Sequence, residues 1–408
     1  MKYKFIYIVL IIVSSQIFSQ HEVYDLLSIK FIDNFNGVTV GGTFDQGLIL
    51  HTKDSGESWC RFGNFDGRSI RKAEYFNDES MMLFTFDSLY IHTNNDYKVL
   101  SYPNEFFFLD AYFLDKYVGW ISGSGGALYL TLDGGNTWNK QNINSSSAGI
   151  GSLFFLNRNN GWCSNGNNIF ITKDGGANWM ITENTSSTLS ISFIDSLTGY
   201  RIDPQFAYKS EDGGKNWKIL NVSSYKNFEA IYTKSYEESF IIADSYGEAS
   251  VFRTTDSGKV WTEYVLENIN RISPRDITFS DSLTGWISCN NGIIYKTNNG
   301  GDDWYELNSG ITNVNENPNK INEYRLFNNF PNPFNPSTKI KYSLAQNSHV
   351  QITIYNIHGE EIERLVDEKM KAGIHELEFR GEYLPSGIYF YRIVCAKYSE
   401  TKKMVLIK

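Results

Sequence analysis

The sequence predicts an all-β chain: a seven-bladed β-propeller followed by a small Ig-like β-sandwich. Three observations carry the prediction. Aromatic residues fill 15% of the 408 positions, with 26 Tyr, 28 Phe and 9 Trp, and such bulky side chains favour strands. An octapeptide with Thr first, Asp third, Gly fifth and Trp last returns near every fortieth residue, the period at which four short strands build a blade. From residue 324 onward the repeat stops and short alternating segments take over, as in a small sandwich.

The N-terminus reads as an export signal. Lys2 and Lys4 precede an apolar run, Phe5 to Val13, with small and polar residues behind it. That run is too short to span a bilayer, so residues 1–19 are expected to be a cleaved signal peptide, ending at Ser19. Nothing later offers a transmembrane segment. The formal charge of −9 and a pI near 5.3 argue against a nucleic-acid partner, which requires basic surface.

The octapeptide pairs Asp54 with Trp59, Asp133 with Trp138, Asp174 with Trp179, Asp212 with Trp217, Asp256 with Trp261 and Asn299 with Trp304. The intervals between successive Trp residues are 79, 41, 38, 44 and 43, and Thr93 to Tyr97 stands where a worn copy belongs. A second phrase gives the same count of seven: Phe31-Ile-Asp33, Phe76-Asn-Asp78, Phe113-Leu-Asp115, Phe155-Leu-Asn157, Phe193-Ile-Asp195, Ile231-Tyr-Thr233 and Phe279-Ser-Asp281. Most copies lead to Gly and an aromatic, as in Gly119-Trp120. In the third unit the strands are expected near Phe108–Leu114, Gly119–Gly123, Ala127–Leu132 and Thr137–Gln141. The octapeptide is then the turn between the third and fourth strands, its Asp bonded to loop amides and its Trp packing between blades.

These residues resemble the Asp-box, or BNR, repeat, and the Asp-Gly-Gly-x-x-Trp version resembles propellers related to photosystem II assembly factors. Sortilin-type receptors, sialidases and xyloglucan hydrolases also carry the box. The resemblance covers about residues 22–308 and implies a fold element, not an activity. Asn299 departs from it.

Residues 309–323 are polar, Asn-rich and without pattern, and read as a linker between a propeller over 20–308 and a second domain over 324–408. The second domain opens with Pro331, Asn332, Pro333, Phe334, Asn335 and Pro336 and contains Gly387, Tyr389, Lys402 and Lys403 in its later motifs. It resembles the type A C-terminal sorting domain of the type IX secretion system. That likeness implies engagement of the secretion machinery through residues 324–408, and a protein that passes the periplasm and outer membrane to be secreted or held at the cell surface. Residues 20–323 carry a net −14 and residues 324–408 a net +3.

Little points to catalysis. Cys60, Cys163, Cys289 and Cys395 form no CxxC pair, and the six His lack HExxH spacing, so no metal or other cofactor is expected. Arg271-Ile-Ser-Pro274 resembles a sialidase phrase in the wrong place and reads as a blade connection. Gly123 to Gly126 reads as a hairpin turn, not a phosphate loop. Three Asp-Ser-Leu triplets, at 87–89, 195–197 and 281–283, resemble a bacterial O-glycosylation site but are also good turn chemistry.

In a four-stranded blade the first-to-second and third-to-fourth turns share a face, and here those turns are uniform. The opposite face collects the variable loops, where recognition usually sits. It is expected to present Lys72, Asp203, Asp244, Tyr246, Arg271 and Arg275, with Asp45, Gln46, Arg68, Phe106, Phe107 and Gln205 as further positions. The expected function is an exported non-enzymatic propeller that binds a protein or glycan at or outside the cell surface. A secreted glycan-active hydrolase is the alternative.

Overall fold

The computed structural model describes residues 24–307 and 324–408, apart from positions 63–64, 66, 78–79, 94–95, 104–105, 144–147, 166, 183–187, 223–224, 267–270, 328, 330–331 and 397. The expected signal peptide, the expected linker and Pro331 lie outside the described residues. Among those described, no helix is long and apolar enough to cross a membrane.

Seven four-stranded antiparallel sheets follow one another along residues 25–307. The third consists of Phe108–Phe113, Gly119–Gly123, Leu128–Thr131 and Asn139–Lys140. Its outer strand is shorter than expected because the Asp-box loop claims the residues up to Trp138. The second sheet, where the box has decayed, ends in a longer outer strand, Asp96–Ser101.

Apolar cores form between neighbouring sheets. One Phe near the end of the innermost strand, present in every sheet but the sixth, explains most of the repeat. Phe155 stacks on Trp120 of the preceding sheet (centroids 3.5 Å apart) and meets Trp179 of its own box edge-on (6.1 Å). Phe193 does the same with Trp162 and Trp217. At the closure, Phe31 stacks on Trp286 of the seventh sheet and meets Trp59 edge-on. The stacked indoles also donate across the seams, Trp162 Nε1 to Gly213 O (2.9 Å) and Trp286 Nε1 to Ser55 O (3.1 Å).

The glycine of the second phrase makes room for this ring. A Cβ on Gly119 or Gly161 would lie 2.3 or 2.2 Å from the Phe113 or Phe155 ring. The sixth sheet corrects the sequence alignment: Thr233, not Ile231, pairs with the residue in the glycine position, which there is Ser239. The phrase in that sheet is therefore Thr233 to Ser235, with the Ser235 hydroxyl accepting the Glu238 amide (3.0 Å). Without the Phe ring, the position no longer needs glycine.

The C-terminal part is two sheets around one core. Arg325–Leu326, Ser337–Leu344 and Gly373–Arg380 form a three-stranded sheet, and Glu361–Met370, Ser348–Tyr355, Gly387–Cys395 and Tyr398–Leu406 form a four-stranded one. Strand alternation sends Ile340, Tyr342, Ile352, Tyr391 and Ile393 into the space between them. All four cysteines are free thiols, three of them buried.

Candidate functional site

The two faces of the propeller differ in chemistry, and the Asp-box face is committed to its own turns. In the first box the Thr52 hydroxyl donates to Asp54 Oδ1 (2.7 Å) and accepts the Gly56 amide (2.8 Å), while Asp54 Oδ1 accepts the Ser58 amide (2.9 Å). The same bonds recur at Asp133, Asp174, Asp212 and Asp256. Asn299 keeps the acceptor half, taking the Asp303 amide at 3.0 Å, and turns its Nδ2 to Asp303 Oδ2. Bonds from the Thr137 side chain and amide hold the Asp133 carboxyl below its usual value, and those from Asn178 do so for Asp174. A box amide also reaches the first-to-second turn beside it, Ser55 N to Phe35 O (3.0 Å) and Gly213 N to Leu197 O (2.8 Å). The two kinds of turn therefore share one face.

The opposite face carries loops of unequal length and exposed aromatic side chains. Tyr246 sits at a two-residue hairpin tip with positive φ and is 96% exposed; Phe44, at another tip, is 86% exposed. Phe107 and Phe86 stack at 4.5 Å while remaining open to solvent. Phe206 and Tyr225 extend the set. The sequence-derived list contained Phe107 and Tyr246 but missed Phe44, Phe86, Phe206 and Tyr225. For Phe44, Phe86 and Phe206 the signal was an aromatic residue inside a second-to-third turn, where turn chemistry asks for none; Tyr225 lies in the connection between the fifth and sixth sheets.

Several expected binding residues are loop braces. Asp203 is buried, accepting the Gln205 and Phe206 amides on Oδ1 and the Tyr208 hydroxyl on Oδ2 (2.9 Å). Asp244 accepts the Ser273 hydroxyl. Gln46 accepts the Tyr24 hydroxyl (3.1 Å), and Arg68 pairs with Asp87 (3.4 Å). Phe106 is buried, stacked on Tyr102 and Tyr129. Arg271 is exposed, its carbonyl accepting Asn291 Nδ2, and Asp45 and Gln205 are also exposed. Ile272 of the sialidase-like phrase is buried and donates its amide to Gly247 O (3.2 Å), which makes that phrase a blade connection. Arg275 lies half-buried in the innermost strand of the seventh sheet, where it opposes the upward shift that burial gives the Glu229 carboxyl.

Lys72 belongs to a different place. It lies on an innermost strand, and its Nζ meets Asp110 Oδ1 at 2.5 Å. Asp110 Oδ2 accepts the Leu153 amide of the next sheet (2.7 Å). Asp276 repeats the arrangement at the closure, accepting the Ile29 amide and the Ser28 hydroxyl, each at 3.1 Å. Ser190 makes the equivalent contact between the fifth and sixth sheets, its hydroxyl accepting the Ile231 amide (3.4 Å). Lys30 and Glu74 complete the cluster: the Glu74 carboxylate holds the Lys30 ammonium above its usual pKa, while burial pushes the Glu74 carboxyl up. The sequence reading missed Lys30, Glu74, Asp110 and Asp276, although every second residue before the second phrase was the signal. The cluster sets two lysines, Lys30 and Lys72, against three carboxyl groups, Glu74, Asp110 and Asp276, and its aspartates brace neighbouring sheets.

In the C-terminal part most motif residues build the sandwich. Phe334 is in its core, Asn332 Oδ1 accepts the Val405 amide (2.9 Å), and Pro336 O accepts the Gly381 amide (2.8 Å). Pro333 and Asn335 are exposed beside them, and the peptides before Pro333 and Pro336 are cis. Gly387 opens a strand, and the buried Tyr389 donates its hydroxyl to Pro385 O (2.9 Å). Lys402 pairs with Glu400 (3.2 Å), and Lys403 points to solvent.

Two families match along the chain. Residues 90–184 and 181–323, more than half of the chain, match the photosynthesis system II assembly factor YCF48 family. Residues 328–408 match the secretion system C-terminal sorting domain, which marks the chain for export to the cell surface or beyond. The photosystem II assembly lipoprotein Ycf48 of Synechococcus sp. (strain CC9902) is 28% identical over 125 residues, 30% of this chain and 37% of that protein; the match spans little more than a third of that relative's length. Among solved structures, YCF48 from Cyanidioschyzon merolae superposes with a TM-score of 0.57 at 18% identity, over 69% of this chain and 98% of that one. PorZ of Porphyromonas gingivalis, described as a surface component of the type IX secretion system, superposes at 0.50 with 11% identity, over 94% of this chain and 59% of that one. At such identities the structural likenesses establish the propeller fold alone.

Proposed function

We propose, from the premise that this chain belongs to the photosynthesis system II assembly factor YCF48 family and ends in a secretion system sorting domain, that it is an exported, non-enzymatic seven-bladed propeller. It binds a protein or glycan at or outside the cell surface, and the type IX machinery delivers it through residues 324–408. The observation that carries this reading is the asymmetry of the two faces. On one face the polar groups of uniform turns bond to one another, with Tyr117, Leu197 and Leu283 exposed between them; the other has loops of unequal length that hold Phe44 and Tyr246 almost fully open to solvent and Phe107 half open. Exposed aromatic side chains away from any core mark interaction surface. An assembly role like that in the relatives' names transfers only as a mode of action, a platform that holds a partner, because the sorting domain directs this chain outward.

The test is capture from surface-labelled cells together with a glycan array, using the mature chain and its Phe107→Ala and Tyr246→Ala variants. Loss of capture with unchanged thermal stability supports the reading. Turnover of any arrayed glycan would replace it with a hydrolase.

A further inference from the structure

One patch of the Asp-box face breaks the repeat's own rule. The first-to-second turn carries a large apolar side chain at an equivalent position in four units: Phe35 in the first, Tyr117 in the third, Leu197 in the fifth and Leu283 in the seventh; the fourth and sixth have the exposed Asn159 and Glu237 there. Tyr117, Leu197 and Leu283 are 54%, 55% and 44% exposed, whereas Phe35 is 4% exposed. Its cover is the C-terminal part: Phe35 meets Phe327 edge-on at 5.5 Å, and Lys341 Nζ lies 4.8 Å from the centre of the Phe35 ring. Lys341 Nζ also donates to Lys53 O (2.5 Å), a carbonyl inside the first Asp box.

The same anomaly appears from the other side. In the three-stranded sheet, alternation turns Leu326, Ile340, Tyr342 and Leu344 into the sandwich core. Phe327, whose amide donates to Lys341 O (2.9 Å), and Lys341 itself therefore face outward. Outward residues of a small sandwich normally meet water, yet Phe327 and Lys341 are 4% and 5% exposed. An aromatic pair with a cation over one ring and a lysine head bonded to a carbonyl form a specific contact; burial pulls the Lys341 ammonium below its usual pKa, and the nearby Asp33, Glu376 and Asp54 carboxylates oppose that shift. Reading residues 309–323 as a linker did not foresee this contact.

We propose that the sorting domain is docked on the first blade, not merely tethered to it. The Phe35 turn and the Lys53 carbonyl receive Phe327 and Lys341 on the outer face of the three-stranded sheet. The propeller thus occupies that face and leaves the four-stranded sheet to the export machinery. That sheet presents Ile388 and Val394, 42% and 38% exposed, beside the exposed Arg392 and Lys403. This second consequence rests on the sorting-domain reading of residues 324–408; the docking does not.

Hydrogen exchange on the full-length mature chain tests the docking. Phe327→Ala, and independently Phe35→Leu, which installs the residue found in the fifth and seventh units, should speed exchange at residues 33–36 and 53–56 by about tenfold. The equivalent turns at 195–198 and 281–284 should not change. If neither variant alters exchange at 33–36, the docking is overturned. In the native host, Ile388→Glu should cut export while Phe327→Ala leaves it intact. Export lost in Phe327→Ala but kept in Ile388→Glu would reverse the assignment of faces. Export that survives deletion of 324–408 would sink the sorting reading and leave the exchange result standing.

Discussion

The Trp286 ring lies flat on Phe31, 3.4 Å between centroids and 5° from parallel, although the two residues belong to the last and first sheets of the array. With the Trp286 indole donating to Ser55 O, this contact closes the ring by side chains between two complete sheets. The seam is built like the internal one between Trp120 and Phe155. Closure therefore uses the repeat's own interface and leaves no special edge.

Trp286→Ala should destabilise the propeller by about 3–5 kcal/mol, the usual cost of emptying a large buried aromatic site. Denaturant unfolding followed by far-UV circular dichroism measures it. A loss below about 1 kcal/mol would mean that closure depends on something else.

Asp133→Ala should cost about 1 kcal/mol, since the turn bonds it loses lie near solvent. Asp133→Asn should retain most of that stability, as Asn299 retains its turn. The carboxyl sits below its ordinary 3.8, so its contribution is present above that value and lost as pH falls through the lower folded-state value. Acid titration of the melting temperature should show a smaller loss in Asp133→Asn than in the native chain, because the other box aspartates, Asp174, Asp212 and Asp256, titrate in both.

Lys30→Met should be more damaging than Glu74→Gln, because it removes the stronger of the two cations acting on the buried Glu74 carboxylate and leaves Lys72 alone against Glu74, Asp110 and Asp276, at a cost of about 3 kcal/mol or more. In the variant, burial keeps the Glu74 value raised. The folded state then takes up a proton more readily than the unfolded one, so stability should rise as pH drops from neutral toward 4.5. A denaturant midpoint that is flat over that range would show that Glu74 is solvated after all.

A chain ending at residue 308 should unfold cooperatively and remain in the periplasm of its host. Its seventh sheet is complete at Leu307, so no strand is missing. Calorimetry and cell fractionation decide the matter: failure to fold, or arrival at the surface, would each contradict it.

The blade turns could be read directly because their chemistry is local. Thr52, Asp54 and Gly56 bond within one loop, and Phe113 needs Gly119 six residues away. Such short-range requirements write themselves into a repeat at fixed spacing. The export tail was legible for the same reason: its turns and alternating strands are local. What the chain order does not contain is which side chains from distant units meet. The pairing of Lys72 with Asp110, the Lys30–Glu74 cluster and the burial of Phe35 under Phe327 arise only once seven sheets close and the sandwich sits on the first of them. Asp203 and Phe107 show the same limit on one face: both lie in variable loops, yet one is taken up by its own loop and the other is left open. Local hydrogen bonding and periodicity fixed the units; exposure, charge pairing and docking were decided by long-range packing, which has no spacing to read.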